Sequence, residues 1–274
     1  MIIKNDYWTS ELLQVVNESE THLTPRALES LWLEKHGRDR KIIRQEIRQL
    51  VDLGELEYTS KYGCTFIERS FNRPVRISYR VVLKPEGAGF NGNGRDVVLT
   101  LVNGVSFGNG RHPTTSLCVR GIDGVMSRYP FLQGADGLDI GTGSGILSLV
   151  AIKMGLARVE ATDYDESARS EARKNAEING LATQIGVSDK ALEEIAGPFS
   201  LVMANLRFPT LHTVCPEIHR VSFPGALVIV SGFRKEEAPL LYKQFLSHGF
   251  EGMEAASERG WCSLLFRKRE SLLG

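Results

Sequence analysis

The run Leu138-Asp139-Ile140-Gly141-Thr142-Gly143-Ser144-Gly145 alternates three glycines with small hydroxyl residues, directly after an apolar stretch. Residues 146–154 follow at once and read as a buried helix. A strand ending in glycines that open a helix makes a turn suited to close approach by a ligand. Glycine takes positive φ without a Cβ penalty, and the helix N-terminus offers unpaired N–H groups. The spacing is Gly-x-Gly-x-Gly rather than the Gly-x-Gly-x-x-Gly of dinucleotide binders, because Ile146 stands at the place of the third glycine.

Working outward, residues 158–163 read as a strand ending at Asp163, 22 positions beyond Gly141, ahead of a helical run over 167–179. A carboxylate at that strand end can accept both hydroxyls of a ribose in charge-assisted bonds. Dinucleotide folds place their acid about 20 residues past the glycines by the same logic. The competing reading of an isolated Asp is a helix cap, and Asp165 is itself a good N-cap for the next helix. Ser188-Asp189 follows a short polar-apolar stretch and is expected near a bound base. Residues 199–204 form a fourth strand, then come Asn205-Leu206-Arg207-Phe208-Pro209. The Asn205 amide oxygen can accept from a cationic or N–H-bearing group. His212, Cys215 and His219 share a helical face, but Pro216 interrupts the pattern and no fourth ligand is evident, so no metal site is expected.

A second constellation precedes the glycine turn: Phe107-Gly108-Asn109-Gly110-Arg111-His112-Pro113-Thr114-Thr115, leading into a helical pattern over 116–129. The Pro and Thr residues suit a loop-to-helix junction. Together with the glycine run, the segment resembles the PrmA-type methyltransferases that modify the eleventh protein of the large ribosomal subunit. Those are class I S-adenosylmethionine-dependent enzymes carrying Phe-Gly-Thr-Gly-x-His-Pro-Thr-Thr before the glycines; Asn109 stands here where the family has Thr. Ala204-Asn205-Leu206 resembles the family's Ala-Asn-Ile-Leu, and Gly260-Trp261-Cys262 is similar to the segment that ends it. The Asn-Pro-Pro-Tyr run of many enzymes that methylate base amino groups is not present.

The resemblance spans about residues 105–268 and implies an α/β, Rossmann-like class I methyltransferase domain with a seven-stranded mixed sheet. It further implies S-adenosyl-L-methionine as cofactor, with Phe107, Thr115, Asp139, Gly141, Gly143, Asp163, Asp189 and Asn205 around it and Asn205 also at the reacting centre. Phe107, His112 and Trp261 would shape the acceptor side. The implied activity is N-methylation of a protein amine, lysine or α-amino, with a ribosomal or other translation protein as partner.

The N-terminal part does not resemble that family's usual α/β recognition domain. Residues 8–17, 27–34 and 40–53 read as helices, Thr24-Pro25 is a helix start and Gly54 a stop. Residues 55–60 and 64–70 alternate like strands around Lys61-Tyr62-Gly63. Three short helices and a hairpin form the order of a winged-helix-like domain. Its third helix and entry carry Lys35, Arg38, Arg40, Lys41, Arg44 and Arg48. That pattern fits phosphate contact or a solvated face, and an RNA methyltransferase whose winged helix holds the nucleic acid is the alternative function. Domains are expected at 1–70 (winged-helix-like), 71–104 (strand-bearing connector, with strands over 75–83 and 97–102) and 105–274 (methyltransferase).

Lys+Arg and Asp+Glu balance at 33 each, so no global field favours nucleic acid or membrane. The four cysteines lie far apart, as in a reducing cytoplasm, and no run is apolar and long enough to span a bilayer.

Overall fold

A computed structural model describes residues 11–16, 19, 21–37, 39–61, 63–102 and 112–270. The chain divides into two compact units, Met1–Arg73 and Pro74–Gly274. Among the described residues no helix is long and apolar enough to cross a membrane.

In the first unit, residues 11–16 are helical; residues 8–10 and 17 of the expected helix lie outside the described set. Helix α1, Pro25–His36, starts where Thr24 Oγ1 accepts the Ala27 N–H (3.1 Å) and stops at Gly37, whose φ of +62° is left-handed. Helix α2, Arg40–Asp52, follows after the cap residue Asp39. Ile43, Ile47 and Leu50 put its apolar stripe against Leu28, Trp32, Leu12 and Val16, all buried. Strands β1, Leu56–Lys61, and β2, Cys64–Arg69, pair antiparallel, with Leu23 bridging to Ile67.

The second unit opens with strands β3, Val75–Arg76, β4, Val81–Pro85, and β5, Val97–Leu101. The alternation over 75–83 predicts one strand; the chain instead folds back on itself, pairing Val75 with Leu83 and Arg76 with Val82. Asp123 causes the reversal. Its carboxylate accepts the Ser78 hydroxyl (2.6 Å), the Arg80 N–H (3.0 Å) and the Arg80 guanidinium (2.7 Å). Asp123 belongs to helix α3, Pro113–Arg128, so residues expected as a connector are fastened to the larger unit.

The main sheet contains β6 Asp136–Ile140, β7 Arg158–Thr162, β8 Ile185–Ser188, β9 Phe199–Asn205, β10 Ser222–Arg234, β11 Phe250–Glu258 and β12 Trp261–Lys268. Its order is β11-β12-β10-β9-β6-β7-β8, and all strands run the same way except β12, which is antiparallel to both of its neighbours, β10 and β11. The last strand inserts, reversed, beside the fifth parallel strand, as the sequence predicts for a seven-stranded mixed sheet. Helices α4 Ile146–Lys153, α5 Glu166–Ile178, α6 Phe208–Val221 and α7 Ala238–Ser247 make the crossovers. Helix α6 runs through Pro216. The proline leaves the His212 carbonyl without its helical donor, and Gln244 Nε2 of α7 approaches that oxygen at 3.4 Å.

Asp123 generates a prediction. Burial would raise its pKa, but bonds from Ser78 and Arg80 and the Arg80 charge outweigh it and hold the carboxyl below its usual range. Its stabilisation is therefore complete above the unfolded value of about 4 and lost as pH falls through the lower folded value. Asp123→Ala should cost about 2–4 kcal/mol in urea unfolding at pH 7, with the difference shrinking towards pH 3. A cost independent of pH would show that packing, not the ionised carboxylate, is what was lost.

Candidate functional site

The carboxyl ends of the parallel strands β6, β7, β8, β9 and β10 lie along one edge of the sheet, where open α/β sheets place their ligand crevice. The glycine turn leaves β6 there. Gly141, Gly143 and Gly145 have φ of +68°, +56° and +83°, and the Gly141 and Thr142 N–H groups donate to Thr162 O at 2.8 and 2.9 Å. A Cβ on Gly141 would overlap Leu206 Cδ2, so Leu206 covers this turn from the end of β9.

Asp139 is fully buried. Its Oδ2 accepts from Thr142 Oγ1 (2.7 Å), Ser148 Oγ (2.7 Å) and Ser148 N–H (3.2 Å), which ties strand, turn and helix α4 together. Its Oδ1 is buried with no hydrogen-bond partner among the described residues. Burial raises the carboxyl pKa, opposed by the Ser148 and Thr142 bonds. Burial likewise pushes the Cys118 thiol up; the Asp139 charge adds to the shift and a Ser231 bond opposes it, which puts helix α3 against the strand ends.

Asp163 stands just past β7. Its Oδ2 accepts the Gly143 N–H (2.9 Å) and its Oδ1 the Asp165 N–H (3.0 Å). An ionised carboxylate has about four lone-pair sites, so two remain. Three further polar atoms at this edge are buried and unpartnered among the described residues: Thr115 Oγ1 in the first turn of α3, Ser188 Oγ at the end of β8, and Asn205 Oδ1 at the end of β9. Buried polar atoms are almost always hydrogen-bonded, so four orphans on one sheet edge mark places that a polar ligand would satisfy.

On the side of β10 and β12, the His112 ring meets Trp261 edge-on, 4.7 Å between centroids, and the Arg234 guanidinium lies 3.9 Å over the Trp261 ring. His112 caps α3 by accepting the Thr114 N–H. Phe107, with residues 103–111, lies outside the described residues. The Asp189 side chain is largely exposed, 3.9 Å from Arg169. Its neighbour Ser188 carries the buried atom.

His212, Cys215 and His219 form no metal cluster among the described residues. Cys215 is packed in the core, where burial pushes its thiol up to about 12.

Three residues that matter here were not singled out in the sequence. Arg169 donates to the carbonyls of Asp163 (2.8 Å) and Tyr164 (2.9 Å), fixing the loop that presents the Asp163 carboxylate. Asn175 donates to Ser144 O and accepts from Val102 N–H, while Asn179 pairs with both backbone groups of Thr100. The signal was two asparagines one helical turn apart in a chain segment that faces a strand, a spacing that suits backbone pairing.

The family described as Ribosomal protein L11 methyltransferase (PrmA) matches residues 67–269. Ribosomal protein L11 methyltransferase of Geotalea uraniireducens is 33% identical over 206 residues, 73% of this chain and 65% of that protein. The protein of the same name from Syntrophotalea carbinolica is 36% identical over 194 residues, 70% of this chain and 62% of its own. The chain thus spans less than two thirds of the length of these curated relatives. Among solved structures, ribosomal protein L11 methylase of Lactobacillus delbrueckii subsp. bulgaricus superposes with a TM-score of 0.65 at 25% identity, over 73% of this chain and 100% of that chain.

Gly232 holds the Asn205–Leu206 turn in place. Its φ is +100°, it sits at the bulge between Ser231 and Phe233, and a Cβ there would overlap the Leu206 backbone. Gly225, in the same strand with φ of +80°, would meet only Glu270 Oε1 at 3.6 Å. Gly232→Ala should cost at least about 2 kcal/mol in urea unfolding and Gly225→Ala about 1. Equal costs would mean that the Leu206 backbone yields freely.

Proposed function

Since the chain belongs to the ribosomal protein L11 methyltransferase (PrmA) family, we propose that it is an S-adenosylmethionine-dependent N-methyltransferase whose acceptor is an amine of a protein. The observation that carries this reading is the set of buried, unpartnered polar atoms on Thr115, Asp139, Ser188 and Asn205 around the glycine turn. Their chemistry fits an amino-acid moiety joined to a nucleoside.

In this reading Asp163 turns its remaining lone pairs to the ribose diol, while its bonds to Gly143 and Asp165 hold it still. Gly141 and Gly143 let the backbone come close to the ligand. Asp139 Oδ1 and Thr115 Oγ1 take the ammonium and carboxylate of the methionyl part. Ser188 hydrogen-bonds near the adenine, a role for which its buried hydroxyl is better suited than the exposed Asp189 carboxylate. When bound, the cofactor supplies a methyl group activated on a sulfonium.

The protein's task is then alignment and control of a proton. A lysine ammonium has a reference pKa of about 10.4, and only the neutral amine has a lone pair to offer. Asn205 Oδ1 can accept one amine N–H and aim that lone pair at the reacting carbon. Being uncharged, Asn205 does not favour the ammonium as a carboxylate would. Holding the two reacting atoms at near-attack distance lowers the barrier without a dedicated base. We assign the acceptor to a ribosomal protein, as the names of the relatives state for them.

Calorimetric titration with S-adenosylmethionine tests the assignment. Asp163→Ala, which removes the charge-assisted bonds, should weaken binding by at least about 30-fold, or about 2 kcal/mol. Asp163→Asn, which keeps an oxygen for Gly143 but not for Asp165, should lose nearly as much with a smaller fall in Tm than Asp163→Ala. Unchanged affinity in both variants would overturn the ribose role. Labelled methyl groups transferred into a cell lysate should be released by protease and survive nuclease.

A further inference from the structure

Helix α2 carries a surface that the methyltransferase reading leaves unused. Ile43, Ile47 and Leu50 are buried, while Arg40, Lys41, Arg44, Gln45, Arg48 and Gln49 are exposed. Arg40, Arg44 and Arg48 recur every four residues, a column about 12 Å long at 1.5 Å per residue. Asp52, in the last turn, is the first acid on that exposed arc.

Arg44 is held in place: its guanidinium donates to both oxygens of the buried Glu29 carboxylate, at 2.7 and 3.0 Å. Arg26 and Arg40 also bear on that one carboxylate, so the cluster keeps a net positive charge. The side chains of Arg40, Lys41, Arg48 and the two glutamines make no hydrogen bond or ion pair among the described residues. The acids of the adjoining hairpin are taken up internally, Glu55 by Arg73, Glu57 by Asn72 and Glu68 by His22.

The supporting geometry is specific. Helices α1 and α2 are separated by three residues, with Gly37 in the left-handed conformation, which is the turn of a helix-turn-helix. The second helix of that motif is the one that enters a groove. Guanidinium and ammonium groups suit phosphates and guanine edges, and glutamine suits adenine. The major groove of B-form DNA, about 12 Å wide, admits such a helix, whereas the major groove of an RNA duplex is too deep and narrow. An acidic protein would satisfy the cations and leave Gln45 and Gln49 without a purpose.

We infer that the exposed face of α2 binds duplex DNA, with Arg40, Lys41 and Arg48 on phosphates and Gln45 and Gln49 towards the base edges. This is independent of the methyl-transfer site.

The test is fluorescence anisotropy with the full chain and a short mixed-sequence DNA duplex, between about 50 and 200 mM salt. With three cations engaged, log K should fall against log salt with a slope of about −2.7. The triple variant Arg40→Gln, Lys41→Gln, Arg48→Gln should bind at least about tenfold more weakly at 50 mM salt and lose about 2.7 units of slope, since each phosphate contact contributes about 0.9. Its cofactor affinity should be unchanged, and Asp163→Ala should bind DNA like the parent, so the two readings fail separately. No binding to the DNA duplex at 50 mM salt overturns the inference. So does an unaltered slope in the triple variant, or an RNA duplex of the same sequence binding as tightly as the DNA.

Discussion

A carboxylate with no exposure to solvent governs the larger unit of this protein. Asp139 sits at the penultimate position of β6, and one of its oxygens gathers the Thr142 hydroxyl and both donors of Ser148. Those three bonds fix where the strand stops, how the glycine turn bends and where helix α4 begins. Burying a carboxylate is costly unless donors surround it. Here donors serve one oxygen, and the other is buried with no hydrogen-bond partner among the described residues. The same group therefore shapes the candidate site.

Around that point the unit is held by side chains that reach for backbone. Asp163 spans to Gly143, Arg169 grips the carbonyls of Asp163 and Tyr164, and Asn175 links the Ser144 carbonyl to the strand that leads into residues 103–111. Asp123 fastens the β3–β4 reversal to α3. Each contact satisfies backbone groups that turns leave without ladder partners. Gly232 works in the opposite sense: by lacking a Cβ it admits the Leu206 backbone, and so sets where Asn205 ends β9.

Much of this was legible beforehand. The alternation of apolar strands with amphipathic helices, the positive-φ glycines, Asp163 and the closing hairpin all depend on local patterns, and each is found where it was expected. The reading failed where distant residues decide. The pattern over 75–83 fits a strand, but Ser78 and Arg80 answer to Asp123, more than forty residues away. Nor does the sequence around Pro216 show that Gln244, from another helix, reaches the carbonyl the proline leaves without its helical donor. Ser188-Asp189 was expected together near a bound base; only the folded chain shows that Ser188 carries a buried, unpartnered oxygen among the described residues while Asp189 is largely exposed.

The sequence by itself determined the class of fold, the turn, the strand-end acid and the family, because hydrophobic period and backbone chirality act over a few residues. Tertiary structure alone decided which polar atoms are buried without partners among the described residues, and that Ser188 rather than Asp189 carries one of them. It also decided which cations of α2 are spent on Glu29 and which stay exposed. Burial and pairing depend on what the rest of the chain brings alongside, and no local pattern carries that information.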